Sequence, residues 1–262
     1  MKSILCLLLA LALPVRADEV ATAARAILKK HQDAIVGVKV VAKVSTPGRE
    51  STQEIKVDAV GIVLDAGGLT VASLRIVEPT EVLSRAIGRQ LQAEVTDLKL
   101  VLADRTEVDA ALVLRDKDLD LAFLRPTEKL PKPAATVSLA DTAQPQVMDT
   151  VIGLARTSRT PRLDPVLSDG RIAAIVDKPR LFYIGTANLQ NLGAGSAVFA
   201  LDGKFIGQML LQRTTKGETW AVIVPAADIA ETAKQAPAEA PKSAPKEAPK
   251  EEPKESASAP AK

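Results

Sequence analysis

The 262 residues carry 34 Lys and Arg against 32 Asp and Glu, and only 2% of them are aromatic. Near-neutral charge, with no basic stripe interleaved with aromatics, argues against a nucleic-acid partner. The length suits one large domain or two small ones, and a core short of aromatics must be filled by Val, Leu, Ile and Ala, a composition that fits a small barrel or sandwich.

In chain order, residues 1–17 read as a secretory signal. Lys2 is the positive end, residues 4–13 are apolar but too few to span a bilayer, and Val15 and Ala17 are the small residues before a cut after Ala17. Secretion to the bacterial periplasm or cell envelope follows as the expected address. Cys6, the only cysteine, would leave with the signal, so the mature chain would hold no disulfide, thiol nucleophile or cysteine–zinc site. Residues 18–34 form an N-terminal helix segment, with Val20, Ala23, Ala24, Ile27 and Leu28 on one face. His31, the only histidine, ends that helix and reads as a solvated residue facing the helix dipole.

Short strands then follow with turn signals between them. They are predicted at 35–44, 54–64, 69–77, 95–102, 107–114 and 119–124, with residues 78–94 as loop and some helix. Three prolines between 126 and 133 separate this half from a second one in the same style. Its strands are predicted at 137–139, 150–154, 170–176, 181–185, 197–200, 204–211 and 220–223, and residues 225–233 read as a closing helix. The pattern predicts an all-β fold, a pair of barrels or a sandwich, with halves at 35–125 and 134–233. Residues 234–262 collapse to Pro, Ala, Lys, Glu and Ser, lack core-forming side chains and are expected to be a disordered tail.

One stretch concentrates the chemistry. Leu192-Gly193-Ala194-Gly195-Ser196 is a tight glycine loop leading into a hairpin turned at Asp202-Gly203. Such a loop can point backbone N–H groups into a cleft, as an oxyanion hole beside a nucleophile requires. No cofactor motif accompanies it: Gly193-x-Gly195 lacks the strand–helix frame of a nucleotide site. Asp116, Asp118 and Asp120 lie at period two and share one face if that strand is regular, although a solvated turn explains them better than a cation site. Arg156, Arg159, Arg162, Arg171, Lys178 and Arg180 read as surface charge on loops of the second half, where an acidic peptide or polymer could dock.

Several segments in order resemble trypsin-like serine proteases of the HtrA/Deg type: the stretch from Gly61 to Val77, Val101-Leu102-Ala103-Asp104-Arg105-Thr106, Asp118-Leu119-Asp120-Leu121-Ala122-Phe123-Leu124, the stretch from Ser168 to Ile175, Val198 to Gly207, and Trp220-Ala221-Val222-Ile223-Val224-Pro225. The resemblance covers roughly residues 35–232. It implies two six-stranded trypsin-like β-barrels with the active site between them, and no PDZ domain, since the tail begins where one would stand.

The resemblance also implies a Ser-His-Asp triad, which this chain does not carry intact. The aspartate position is Asp120, and the histidine position is Arg75, which stays protonated and cannot act as a general base. Counting back from Asp202-Gly203 puts Ala194 at the serine position. Counting forward from Asn191-Leu192-Gly193 puts Gly195 there, and only a two-residue deletion in the next strand brings in Ser196. In the Ala194 register Leu192 replaces a glycine of the oxyanion loop formed by Leu192, Gly193 and Ala194. A bridge between Arg75 and Asp120 could then close the site. The expected function is a proteolytically inactive, secreted module that binds a peptide or protein partner. The alternatives are an atypical serine endopeptidase using Ser196 and a structural envelope protein anchored through its tail.

Overall fold

The computed structural model describes residues 16–48, 52–157, 163–213 and 218–241. The expected signal segment up to residue 15, Arg159, Arg162 and the expected tail beyond residue 241 lie outside the described residues. The first helix, α1, spans Arg16–His31 and runs into a 3₁₀ turn at Gln32–Ala34. The first barrel follows: β1 (Ile35–Ser45), β2 (Thr52–Val63), β3 (Thr70–Ser73), helices α2 (Leu74–Val77) and α3 (Thr80–Ile87), β4 (Gln92–Val101), β5 (Glu107–Asp116) and β6 (Leu121–Pro126). The second holds β7 (Thr150–Arg156), β8 (Pro165–Val176), β9 (Phe182–Gly185), helix α4 (Ala187–Gln190), β10 (Ala197–Ala200), β11 (Phe205–Arg213) and β12 (Thr219–Pro225), closed by helix α5 (Ala226–Ala233).

Both sheets close on themselves, in the orders β1-β2-β3-β6-β5-β4 and β10-β11-β12-β9-β8-β7, so the expected pair of six-stranded barrels is the observed fold. Closure pairs each strand on both sides except where one outruns its neighbour, as β11 does past its pairing with β10. The apolar strand sequences are explained by the two faces they cover. In β6, Leu121 and Phe123 face the second barrel, whereas Ala122 and Leu124 fill the first barrel's interior. In β10, Ala197 and Phe199 face the shared core and Val198 fills the second barrel. Strands buried on both faces read as continuous apolar runs rather than alternations.

Several expectations need correction. Residues 137–139 form no strand: Val137 is fully buried, but it is held by one bond from its N–H to the Val63 carbonyl at 2.9 Å, so the segment hugs the first barrel instead of joining a sheet. Residues 74–77, expected as a strand exit, turn into α2. Asp116, Asp118 and Asp120 share no strand face, because Asp116 Oδ1 accepts the N–H groups of Asp118 (3.0 Å) and Leu119 (2.9 Å) and closes a turn. His31 is 4% exposed and stacks on Phe199, with ring centroids 4.5 Å apart and planes inclined by 18°.

The start of the expected tail is also anchored. Ala236 packs on the shared core, and the Arg125 guanidinium donates from Nε to the Pro237 carbonyl at 2.6 Å. Arg125 pairs as well with Asp65 at 2.9 Å, so the segment after α5 returns to the first barrel. Arg156, expected on a surface loop, ends β7 and donates to three backbone carbonyls around the 3₁₀ turn: Ile35, Leu163 at 3.0 Å and Gln32 at 2.9 Å.

Candidate functional site

Asp120 stands just before β6 in the left-handed region, at φ 61°, a conformation that Asp and Asn tolerate better than other side chains. It is 1% exposed. Its Oδ2 accepts the Ser73 hydroxyl at 2.8 Å, and its Oδ1 accepts the backbone N–H of Arg75 at 2.8 Å. A further bond, from the Leu74 N–H to the Asp120 carbonyl at 3.0 Å, fixes the start of α2 over it. Burial dominates and pushes the carboxyl up to about 6, against the opposing pull of the Ser73 hydroxyl, the Arg75 N–H and charge, and the Leu211 N–H.

Arg75 is half-buried on α2. Its guanidinium passes the carboxylate and donates from Nη1 to the Leu211 carbonyl of β11, at 2.6 Å. The side-chain bridge to Asp120 expected from the sequence is therefore not formed: the guanidinium bonds the Leu211 carbonyl, while Ser73 and Arg75's own backbone N–H hold the carboxylate. The arginine instead ties the first barrel to the second.

The glycine loop follows α4. Two of its N–H groups turn back onto that helix: Leu192 donates to Leu189 at 3.0 Å and Gly193 to Gln190 at 3.1 Å. An oxyanion hole needs such donors free and aimed into the cleft. Gly195 donates to the Met209 carbonyl at 2.7 Å, and Met209 donates to the Ser196 carbonyl at 2.8 Å, which prolongs the β10–β11 ladder into the loop. Gly195 has φ 95°, and a Cβ there would lie 2.3 Å from the Val60 carbonyl oxygen of β2, so only glycine fits where the loop meets the first barrel. Ala194 is half-buried with a bare methyl. Ser196 is fully buried, and its hydroxyl donates to the Gly193 carbonyl at 2.7 Å. That leaves no exposed hydroxyl at 194–196.

Sequence reasoning missed the residue that joins the two halves of this site. Gln208 is fully buried, and its Nε2 bridges the Val71 carbonyl of β3 at 3.2 Å and the Gly195 carbonyl at 3.1 Å, while its Oε1 has no partner. The signal was a lone polar residue in the apolar run Phe205-Ile206-Gly207-Gln208-Met209-Leu210-Leu211. Ser73 and Leu211 were missed too; the first looks like any strand-end serine, and the second acts only through its backbone.

An open cleft of about 750 Å³ lies beside Arg75 and Asp120, lined also by Glu78, Thr80, Arg115 and Lys117. Among the described residues, no group of three His, Cys, Asp or Glu side chains could hold a metal ion, and no helix is long and apolar enough to cross a membrane.

A family model described as a trypsin-like peptidase domain matches residues 59–207, a stretch that contains Arg75, Asp120 and the whole glycine loop. Among solved structures, the protease domain of MamO from Magnetospirillum magneticum, in its apo form, superposes with a TM-score of 0.53 over 77% of this chain and 96% of that one. The two are 14% identical, so the likeness is one of fold. No curated protein matches the chain.

Proposed function

The chain belongs to the trypsin-like peptidase domain family, and from that premise we propose that it is a member of HtrA type without proteolytic activity, a secreted module that binds a peptide or protein partner in the cell envelope. The observation that supports this most directly is the state of Arg75. It stands where the HtrA resemblance puts the general base, it cannot accept a proton, and its N–H and guanidinium are already bonded to Asp120 and Leu211. Asp120 occupies the aspartate position in this reading and Ala194 the serine position. Ser196, the alternative nucleophile, has its hydroxyl turned inward on Gly193 and no base beside it.

Binding needs none of these groups. Barrel proteases hold extended peptides by pairing backbone with a strand edge. β11 offers one: past Met209 no strand of the described residues pairs with its loop-facing edge, and Leu211 is the next residue on that edge. Export rests on the signal-like residues 1–17.

A serine-directed fluorophosphonate probe tests the inactive reading. We expect the purified chain to stay unlabelled. Labelling that Ser196→Ala abolishes would establish the endopeptidase alternative instead. Cell fractionation and N-terminal sequencing test the address, with an envelope fraction beginning at Asp18 expected.

A further inference from the structure

The free edge of β11 is not empty. Met209 bonds the glycine loop through both its N–H and its carbonyl. Leu211, two residues on, presents its backbone groups to the same side. There the Leu211 carbonyl takes the Arg75 guanidinium, and its N–H helps hold the charge of Asp120. A peptide that paired with β11 at this point would have to displace the arginine.

The cleft beside it carries three cations and three anions, but most of them are committed. Arg115 donates from Nε and Nη2 to Glu78 Oε1 at 2.9 and 2.6 Å. Glu81 is engaged by Arg85 on α3, and Asp120 is held as described above. Two cations remain for a ligand: exposed Lys117, on the turn between β5 and β6, and Arg75, whose single hydrogen-bond acceptor is a neutral carbonyl. A guanidinium bonds a carboxylate more strongly than it bonds an amide oxygen, and through two parallel N–H groups. A ligand carboxylate in the cleft therefore outcompetes Leu211 for Arg75, and the same exchange uncovers the β11 edge.

Resting on the peptide-binding reading, we infer that the ligand is an extended acidic peptide, whose carboxylate takes Arg75 and Lys117 while its backbone pairs with Leu211. Arg75 is then a specificity gate: it blocks the edge against neutral segments and yields it to acidic ones.

Two fluorescent peptides of the same length distinguish the possibilities, one built of Glu and Val, the other with every Glu replaced by Gln. Anisotropy is read with the full chain at low and raised salt. We expect the Glu peptide to bind, weaken as salt rises, and lose about tenfold in affinity with Lys117→Gln, an exposed change that leaves the fold intact. Arg75→Gln should reduce the preference for Glu over Gln to the share that Lys117 supplies, and should bind the Gln peptide more tightly than the natural chain does. Its folding is checked by circular dichroism, since only the side chain and not the N–H bond to Asp120 is altered. Equal binding of both peptides by the natural chain would overturn this inference and leave the peptide-binding reading standing. Binding of neither peptide by any variant would overturn both. Undiminished Glu selectivity in Arg75→Gln would place the acid site elsewhere and overturn the gate.

Discussion

Replacing Asp120 by Asn keeps the shape of the site and removes its charge. Asn is at home at φ 61°, its carbonyl can accept the Arg75 N–H, and its amide can meet the Ser73 hydroxyl. The carboxyl it replaces goes from an ordinary value of 3.8 to about 6 on folding, mainly by burial. The native state therefore binds a proton that the unfolded chain has lost, and stability must fall as pH rises from 3.8 to about 6. At about 1.4 kcal/mol per pH unit this amounts to about 3 kcal/mol by neutral pH. Urea unfolding of both proteins, followed by circular dichroism from about pH 4 to about pH 7.5, isolates the effect in the difference between them, because every other carboxylate cancels. We expect Asp120→Asn to gain about 2.5 kcal/mol on the natural chain across that range. Parallel curves would refute the reasoning. So would a natural chain that gained on the variant with rising pH, since the Ser73 and Arg75 bonds would then outweigh burial.

His31 works in the opposite sense. Burial first, and then the charge of Lys30, lower its pKa below the ordinary 6.5, so the unfolded chain takes a proton that the native ring resists and stability is lost as pH falls through 6.5. His31→Phe, which keeps the stack on Phe199, should flatten that acid limb in the same unfolding assay. Gly195→Ala should cost more than 3 kcal/mol or prevent folding, because it drives a Cβ onto the Val60 carbonyl at φ 95°, whereas Gly193→Ala, at φ 83° with open space around it, should cost about 1 kcal/mol. Ending the chain after Ala233 removes the Pro237 acceptor of buried Arg125 and the Ala236 contact, and should lower stability by about 1–3 kcal/mol in urea unfolding.

The barrels were legible because turn chemistry and apolar runs are local. Asp65-Ala66-Gly67-Gly68 and Asp202-Gly203 mark hairpins whose geometry depends on those residues alone, and the spaced segments around Arg75 and Asp120 carried the resemblance. What escaped was made by contacts between segments far apart in the chain. Nothing beside His31 in the sequence announces Phe199, and helix-end histidines are ordinarily wet. Arg156 and Gln208 bind backbone carbonyls, which every residue owns, so no pattern of side chains points to them. The Arg75 partner was misread for the same reason: Asp120 is the obvious anion, but the guanidinium's acceptor is the Leu211 backbone carbonyl of β11.

Among the described residues the chain passes between the barrels three times. Helix α1 packs on β7 and β8 before β1 begins the first barrel, the segment after β6 carries the chain to the second barrel, and the residues after α5 bring it back to Arg125. Arg156 grips the first of these crossings and Asp65–Arg125 the last. Two bodies joined on one side open like a book. Two bodies pinned by three crossings resist opening more than two joined on one side. On this geometry the β11 edge is uncovered by the swing of one side chain rather than by parting of the barrels, because the contact that covers it is the Arg75 guanidinium on the Leu211 carbonyl.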